Sequence, residues 1–368
     1  MPLKIGIKIY KSTIDKIIIG EKVIYTKRRA KALSFYGALA SLSTSGAAII
    51  VSNQLDSNVA LLIRRYDVNF ETYDSNYTHS TLNTKITSYS SSYQKGENGP
   101  VHFLPSKLGN FLVIPDGNKA WKIDNNYTYI DNTTPAFDTA LATGHGHGIT
   151  KDYSLYGGGD DGYRATNPCF AYDNSITRFV CSNLTTAVVD LVGGSAGEYA
   201  LIGLGRDNNL QATVNVYDNN LTKKPDISAS QGRVATRSVD DLKNKKTYFV
   251  GGGNRNYSTL YSNIDEFDEN LTRQTFYMTT AKRAMSLSIN DNILIITGGI
   301  TSSGATSEIE YFDLDTKTEV IFSESYSSPR YSVASITLGK STLLIGGTTN
   351  ASNFANGYLS DVYTLEYE

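Results

Sequence analysis

Few residues in this chain have the type and spacing for chemistry. His145-Gly146-His147 is the one metal-like pair. On a strand, residues two apart share a face, so both imidazoles could reach one ion. Only four histidines exist, and His79 and His102 lie in another part of the chain. The pair is therefore expected to be a glycine-flanked strand start, with no metal. Asp160-Asp161-Gly162 and several Asp-x-Asn segments invite a calcium assignment. A calcium loop of the helix-loop-helix type needs spaced oxygen ligands, a glycine and a distal bidentate glutamate, and none of these segments has the full set. Cys169 and Cys181 are centred on Ser175, the middle of an Asp173–Thr177 turn, which sets them facing each other across a hairpin. Two free thiols are expected in a reducing compartment, with a cross-strand disulfide as the alternative in an oxidising medium. No P-loop, nucleophile elbow or zincin motif is present, and Gly203-Leu204-Gly205 lacks the following glycine of a dinucleotide site. No catalytic residue, cofactor or metal is expected, and the remaining chemistry is binding.

The binding candidates sit just after glycine clusters: Tyr163 and Arg164, Arg206, Arg255 and Tyr257, and Tyr358. Tyrosine gives large contact area at low entropic cost, and tyrosine with asparagine suits saccharides through ring stacking and amide hydrogen bonds. A second set is cationic: Arg233, Arg237, Lys282, Arg283 and Arg330 occupy similar positions at the starts of successive strands. They imply a partial basic ring that attracts an anionic peptide or sugar. The alternative is that each arginine bonds carbonyls of its surroundings.

These residues must be positioned by short strands. The 368 residues include 31 Gly and 26 Tyr but only 3 Met, 8 Pro and 1 Trp, a composition of strands and tight turns without long helices. Charged residues are 19% and the net charge is −2, which disfavours a nucleic-acid surface, since that binding rests on many phosphate-neutralising cations. No apolar run approaches the ~20 residues of a membrane span, and Met1 to Lys16 lacks the apolar core of a signal peptide.

A repeat organises the chain. Aspartates following an aromatic or aliphatic residue recur at Asp67, Asp124, Asp173, Asp218, Asp268 and Asp313, spaced 57, 49, 45, 50 and 45. Glycine clusters precede them at Gly157-Gly158-Gly159, Gly203-Leu204-Gly205 and Gly251-Gly252-Gly253, and recur at Gly298-Gly299 and Gly346-Gly347. Val51-Ser52-Asn53 and Pro115-Asp116-Gly117 fill the same slot in the first two copies, making seven units. A period near 48 fits a four-stranded unit in which the second strand ends in the diglycine and an Asp-x-Asn turn joins the third strand to the fourth.

With its diglycines and Tyr-Asp corners, the stretch from about residue 30 to 368 resembles kelch-repeat proteins. It departs from them in lacking a fourth-strand tryptophan, its only tryptophan being Trp121. The flavour Tyr217-Asp-Asn-Asn-Leu-Thr222 also looks like kelch-like arrays of phage and prophage tail-associated proteins. The resemblance implies an all-β, seven-bladed propeller over 30–368, preceded by a β segment over 1–29 that serves attachment, ring closure or both. Arg233, Arg283 and Arg330 would then stand at the mouth of the axial channel, and the six loop residues would share one face. The implied function is a non-enzymatic virion structural protein, a tail or surface appendage. It would bind a host-surface glycan or protein by its loops and other virion proteins by its N-terminal segment, with neither nucleic acid nor membrane insertion. An enzyme on the same scaffold, a sugar-acid isomerase or oxidase, is the alternative; the Ser-x-Asp-x-Gly-x-Thr-Trp boxes of sialidases are absent. Because the last unit ends after its third strand, residues 20–34 are expected to pair with the strand at Asp361–Tyr367 and cover its open edge.

Overall fold

The computed structural model describes residues 144–160, 164–338, 341–349, 359 and 361–367. Before these it describes strands at 16–19, 22–26, 30–38, 51–56, 59–63, 69–74, 79–85, 106–108, 111–116, 119–124 and 129–132. Among them every regular element is a β-strand, and no helix is long and apolar enough to cross a membrane. Lys16–Ile19 and Lys22–Thr26 form a two-stranded sheet; six sheets have four strands and one has five. All strand pairings among the described residues are antiparallel, and they join sequence neighbours except where Ile293–Thr297 pairs with Gly304–Asp313 and where Ala30–Ala38 pairs with Asp361–Tyr367. The sheet of 192–228 is typical: Val192–Ala196, Tyr199–Gly203, Thr213–Tyr217 and Ile227–Ser228 pair in that order. The sheets of 146–180 and 237–277 repeat it. That of 286–330 adds a short strand, Ile300–Thr301, against Gly304–Asp313.

The sheets stack, so their middle strands are buried on both faces and read as unbroken apolar runs. In Ile293–Thr297, Ile293 and Ile295 pack towards Leu344, Tyr363 and Leu365 of the following sheet. The alternate Leu294 and Ile296 pack towards Tyr248, Val250 and Ile264 of the preceding one. Phe249, between Tyr248 and Val250, turns the other way, to Val192, Leu201 and Val214. Each apolar cluster thus lies between consecutive sheets, with about 1.5–3 kcal/mol gained per fully buried large side chain. Burial falls off at the fourth strands, as in Arg273–Tyr277.

First strands adjoin in succession. Gly146–Ile149 lies beside Val192–Ala196, which lies beside Arg237–Asp241; then come Ser286–Asn290, Ala334–Leu338, Val51–Asp56 and Ser106–Leu108. The last of these adjoins Gly146–Ile149 again. Short side chains join these strands at a spacing of one unit. Ser195 Oγ accepts from the Ile149 amide, and Ser238, Ser335 and Thr337 donate to the carbonyls of Gly193, Leu287 and Ile289.

Turn chemistry follows the expectation. Asp218 Oδ1 accepts from the amides of Asn220 and Thr222, both at 2.9 Å, and Asp173 and Asp268 do the same in their units. The turns put Ile176, Leu221, Leu271 and Lys317 at positive φ. Further positive-φ series occupy the first-strand starts (Asp190, Ala235, Ala284, Ser332) and the first-to-second-strand turns (Lys245, Asp291). The diglycine at 251–252 has φ of 60° and 107°, and a Cβ on Gly251 would stand 2.4 Å from the Lys282 carbonyl of the next sheet. Glycine is required there for conformation and for space.

The last sheet borrows its fourth strand from the N-terminal side of the chain. Ala30–Ala38 pairs with Asp361–Tyr367, with Leu33 opposite Leu365 and Phe35 opposite Tyr363. The expected pairing of residues 20–34 is thus met only from Ala30 onward and runs on to Ala38, whereas Lys22–Thr26 pairs with Lys16–Ile19. A nine-residue strand can match the seven-residue edge over its length.

Candidate functional site

The residue after four of the glycine clusters bridges back to the start of its own sheet's first strand: Arg206 to Val189, Gly253 to Val234, Ile300 to Arg283, Thr348 to Tyr331. It also bridges forward across its own loop, Asp160 to Ala165, Arg206 to Leu210 and Gly253 to Leu260. The post-diglycine loops are therefore small hairpins gathered at the end of the sheets where the first strands begin. This end carries the candidate site.

Its best-defined part is the loop Asn254–Thr259. Asn254 Oδ1 accepts from the Thr259 amide at 3.1 Å, and Asn254 Nδ2 donates to Ser258 Oγ at 2.9 Å. Ser258 Oγ also donates to Asn256 Oδ1 at 2.8 Å. The Tyr257 amide donates to the Asn254 carbonyl at 3.0 Å with Tyr257 at φ 57°. An aromatic residue at positive φ costs on the order of 1–2 kcal/mol. The network holds the ring over the guanidinium of Arg283 from the next sheet, 3.9 Å from Cζ to ring centroid. Arg283 Nε and Nη1 are buried with no hydrogen-bond acceptor among the described residues. Arg237 completes the group: burial lowers it to about 10, the Tyr257 phenol acting against the shift and the Arg283 charge adding to it.

Beside this group, Arg206 Nε donates to Asp190 Oδ2 at 2.8 Å, which neutralises that cation at the same end. Asp207 accepts from the Asn209 amide at 2.6 Å and from Gln211 Nε2 at 3.1 Å, and these bonds hold its carboxyl below the ordinary range. Arg164 and Arg255 are exposed at loop tips. Tyr163 and Tyr358 lie outside the described residues.

The cationic set divides in two. Arg233 and Arg330, expected at a channel mouth, are 0% exposed. Arg233 donates to Asp265 Oδ2 at 2.8 Å and to the Phe249 carbonyl at 3.1 Å. Arg330 donates to Asp361 Oδ2 at 2.8 Å and to the Gly346 carbonyl at 3.2 Å. Lys282 pairs with Glu310 in the same way. Each points into the body of its sheet because a third-strand acid waits there. Only Arg237 and Arg283 remain with the loops. The buried acids Asp265 and Glu310 and the partly exposed Asp361 were not anticipated, yet they recur with nearly the period of their cations, and that shared period was the available signal.

Both imidazoles of the histidine pair pack on Tyr156, His145 edge-on with centroids 5.8 Å apart and His147 stacked at 6.0 Å. Burial lowers His147 to about 4, so it is neutral. No group of three or more His, Cys, Asp or Glu suited to a metal occurs among the described residues. Cys169 and Cys181 are buried free thiols joined through a 2.9 Å backbone hydrogen bond from the Cys181 amide to the Cys169 carbonyl; burial pushes the Cys169 thiol up.

No protein-family model matches this chain, and no curated protein matches it.

Proposed function

We propose that the chain is a seven-bladed, kelch-like β-propeller. It acts as a non-enzymatic structural protein of a phage or prophage particle, binding a host-surface glycan or protein through its loop end. The cyclic succession of first strands supports the ring, and the strand Ala30–Ala38 would close it. The particle assignment rests on the Tyr-Asp-Asn-Asn-Leu-Thr repeat flavour. The observation that carries the binding role is the tethered loop Asn254–Thr259, which holds an aromatic ring and a cation together at the end where the other loops gather. A rigid, half-buried aromatic beside a directed cation can anchor a partner with little ordering left to lose.

The test is attachment. Labelled protein is incubated with cells of the strains that the particle infects. Tyr257→Ala and Arg255→Ala should lower bound protein several-fold while the melting temperature stays within a couple of degrees, because loop substitutions usually cost within about 0.5 kcal/mol. Unchanged attachment for both, and for Arg164→Ala and Arg206→Ala, would remove the loop end as the binding face. Absence of the protein from purified particles would remove the virion assignment.

A further inference from the structure

We propose that Arg283, with Tyr257 stacked on it and Arg237 beside it, is an oxyanion subsite of the loop end, and that it takes the carboxylate of an acidic saccharide. This deepens the loop-end binding proposed above and rests on it.

Three observations lead there. The first is the missing acceptor. Arg233, Arg330 and Lys282, at corresponding strand starts, each meet a carboxylate, whereas Arg283 has buried Nε and Nη1 donors with no acceptor among the described residues. Leaving buried donors unpaired is costly, and more so for a charged group. Stacking on Tyr257 returns part of that cost but satisfies no N–H. An acceptor from outside the described chain would remove the deficit.

The second is the backbone of Tyr257. Among the described residues, eleven of the twelve non-glycine residues with positive φ fall in slots that the fold itself uses: the Asp turns, the first-strand starts, the first-to-second-strand turns, and Leu204 in a diglycine position. Tyr257 alone belongs to no such slot. Its conformation is maintained by the Asn254 and Asn256 network within one loop, and its result is to set the ring against Arg283. Strain that the fold does not need, held by local bonds, marks a functional position.

The third concerns the ligand. Two neighbouring guanidinium groups select an anion, and guanidinium donors match carboxylate oxygens. The loop that carries the ring is polar: Arg255, Asn256 and Ser258, beside Tyr257 in sequence, are exposed, as are Asn208 and Asn209 of the preceding post-glycine loop. Among the described residues the large exposed hydrophobic ones, Val180, Leu242 and Tyr277, belong to fourth strands or to the turn at the far end of a first strand. Peptides docking on domains typically use an apolar groove or a free strand edge. Exposed amides and hydroxyls around a cation and a ring suit a sugar acid better.

Titration of the full chain with a hyaluronan tetrasaccharide (glucuronate-containing) and with the uncharged chitin tetrasaccharide reads the subsite directly, by calorimetry or ligand-observed NMR. The acidic probe should bind, weaken with added salt, and lose about tenfold or more in affinity in Arg283→Gln, while the uncharged probe binds weakly or not at all. Arg283→Lys should retain part of the affinity, since the charge stays and the planar fork is lost. If Arg283→Gln melts several degrees lower, Tyr257→Ala with an unchanged melting temperature replaces it and should show the same loss. Equal affinity in these variants, or no binding of the acidic probe at millimolar concentration, overturns the subsite. A glutamate-rich peptide that competes better than the tetrasaccharide overturns the saccharide assignment. Saccharide binding that depends on Arg283 in a protein that does not attach to cells would leave the subsite standing and remove the attachment role. Attachment that is insensitive to Arg283 would do the reverse.

Discussion

Lys282 and Arg283 are neighbours in the chain with opposite surroundings. Lys282 is 0% exposed and paired with Glu310 inside its sheet. Arg283 lies against a tyrosine of the adjacent loop, with two nitrogens that meet no acceptor among the described residues. Alternation along an extended chain sends successive side chains to opposite sides, so Lys282 faces the body of the sheet and Arg283 faces the loop. The interior position is filled by Arg233, Lys282 and Arg330 in three successive sheets, always with an acid. The outer position is filled by Val189, Val234, Arg283 and Tyr331, with no common chemistry. The fold repeats the inner cation but not the outer residue: Val234 and Tyr331 are fully buried, whereas Arg283 meets the loop of the preceding sheet.

The sharpest way to break this contrast is to remove an inner cation. Arg233→Ala should destabilise by about 3–5 kcal/mol, because Asp265 is left as an uncompensated buried charge. Arg233→Met with Asp265→Leu should recover much of that loss; urea melts of the single and double variants read both. A single variant that melts like the parent would show that the inner cations are not structural.

A smaller effect is expected where the first strands meet. Asp240 accepts from the Ser195 amide at 3.0 Å, and burial raises its carboxyl to about 6, against the opposing effect of hydrogen bonds from Thr247 and Ser195. Between about pH 4 and 6 the folded protein holds a proton there that the unfolded chain has released. Stability is therefore greater below this window and declines as pH rises through it. Asp240→Asn, which keeps an accepting oxygen, should flatten that decline and gain about 1–2 kcal/mol above pH 6, as followed by melting temperature against pH. A steeper decline in the variant would reverse the assignment.

The smallest stability effect belongs to the loop ring that stacks on Arg283. Tyr257→Gly removes the ring together with the positive-φ cost, and the melting temperature should stay within a couple of degrees. A large loss would make the Tyr257–Arg283 stack part of the scaffold.

What could be read from residues was local. The Asp-x-Asn turns were legible because the aspartate side chain bonds amides two and four residues on, within one short segment. The diglycines were legible because positive φ and backbone crowding leave a glycine signature, although Leu204 holds one such slot at φ 58°. The facing cysteines followed from their symmetry about the same turn. Arg233 and Arg330 were not legible as buried residues, because the acids that draw them inward lie 32 and 31 residues downstream. Nor did composition show that Arg206 would meet Asp190 while Arg283 meets a ring and a second cation.

The sequence by itself determined the all-β class, the period of the units and the chemistry of their turns, since each depends on contacts within a few residues. Tertiary structure decided which of two adjacent cations is buried, which acid each one meets, and that Ala30–Ala38, and not Lys22–Thr26, pairs with the last strand. Those outcomes depend on groups brought together across a whole unit or the whole chain, where desolvation and available strand length, with no local preference to guide them, select the partner.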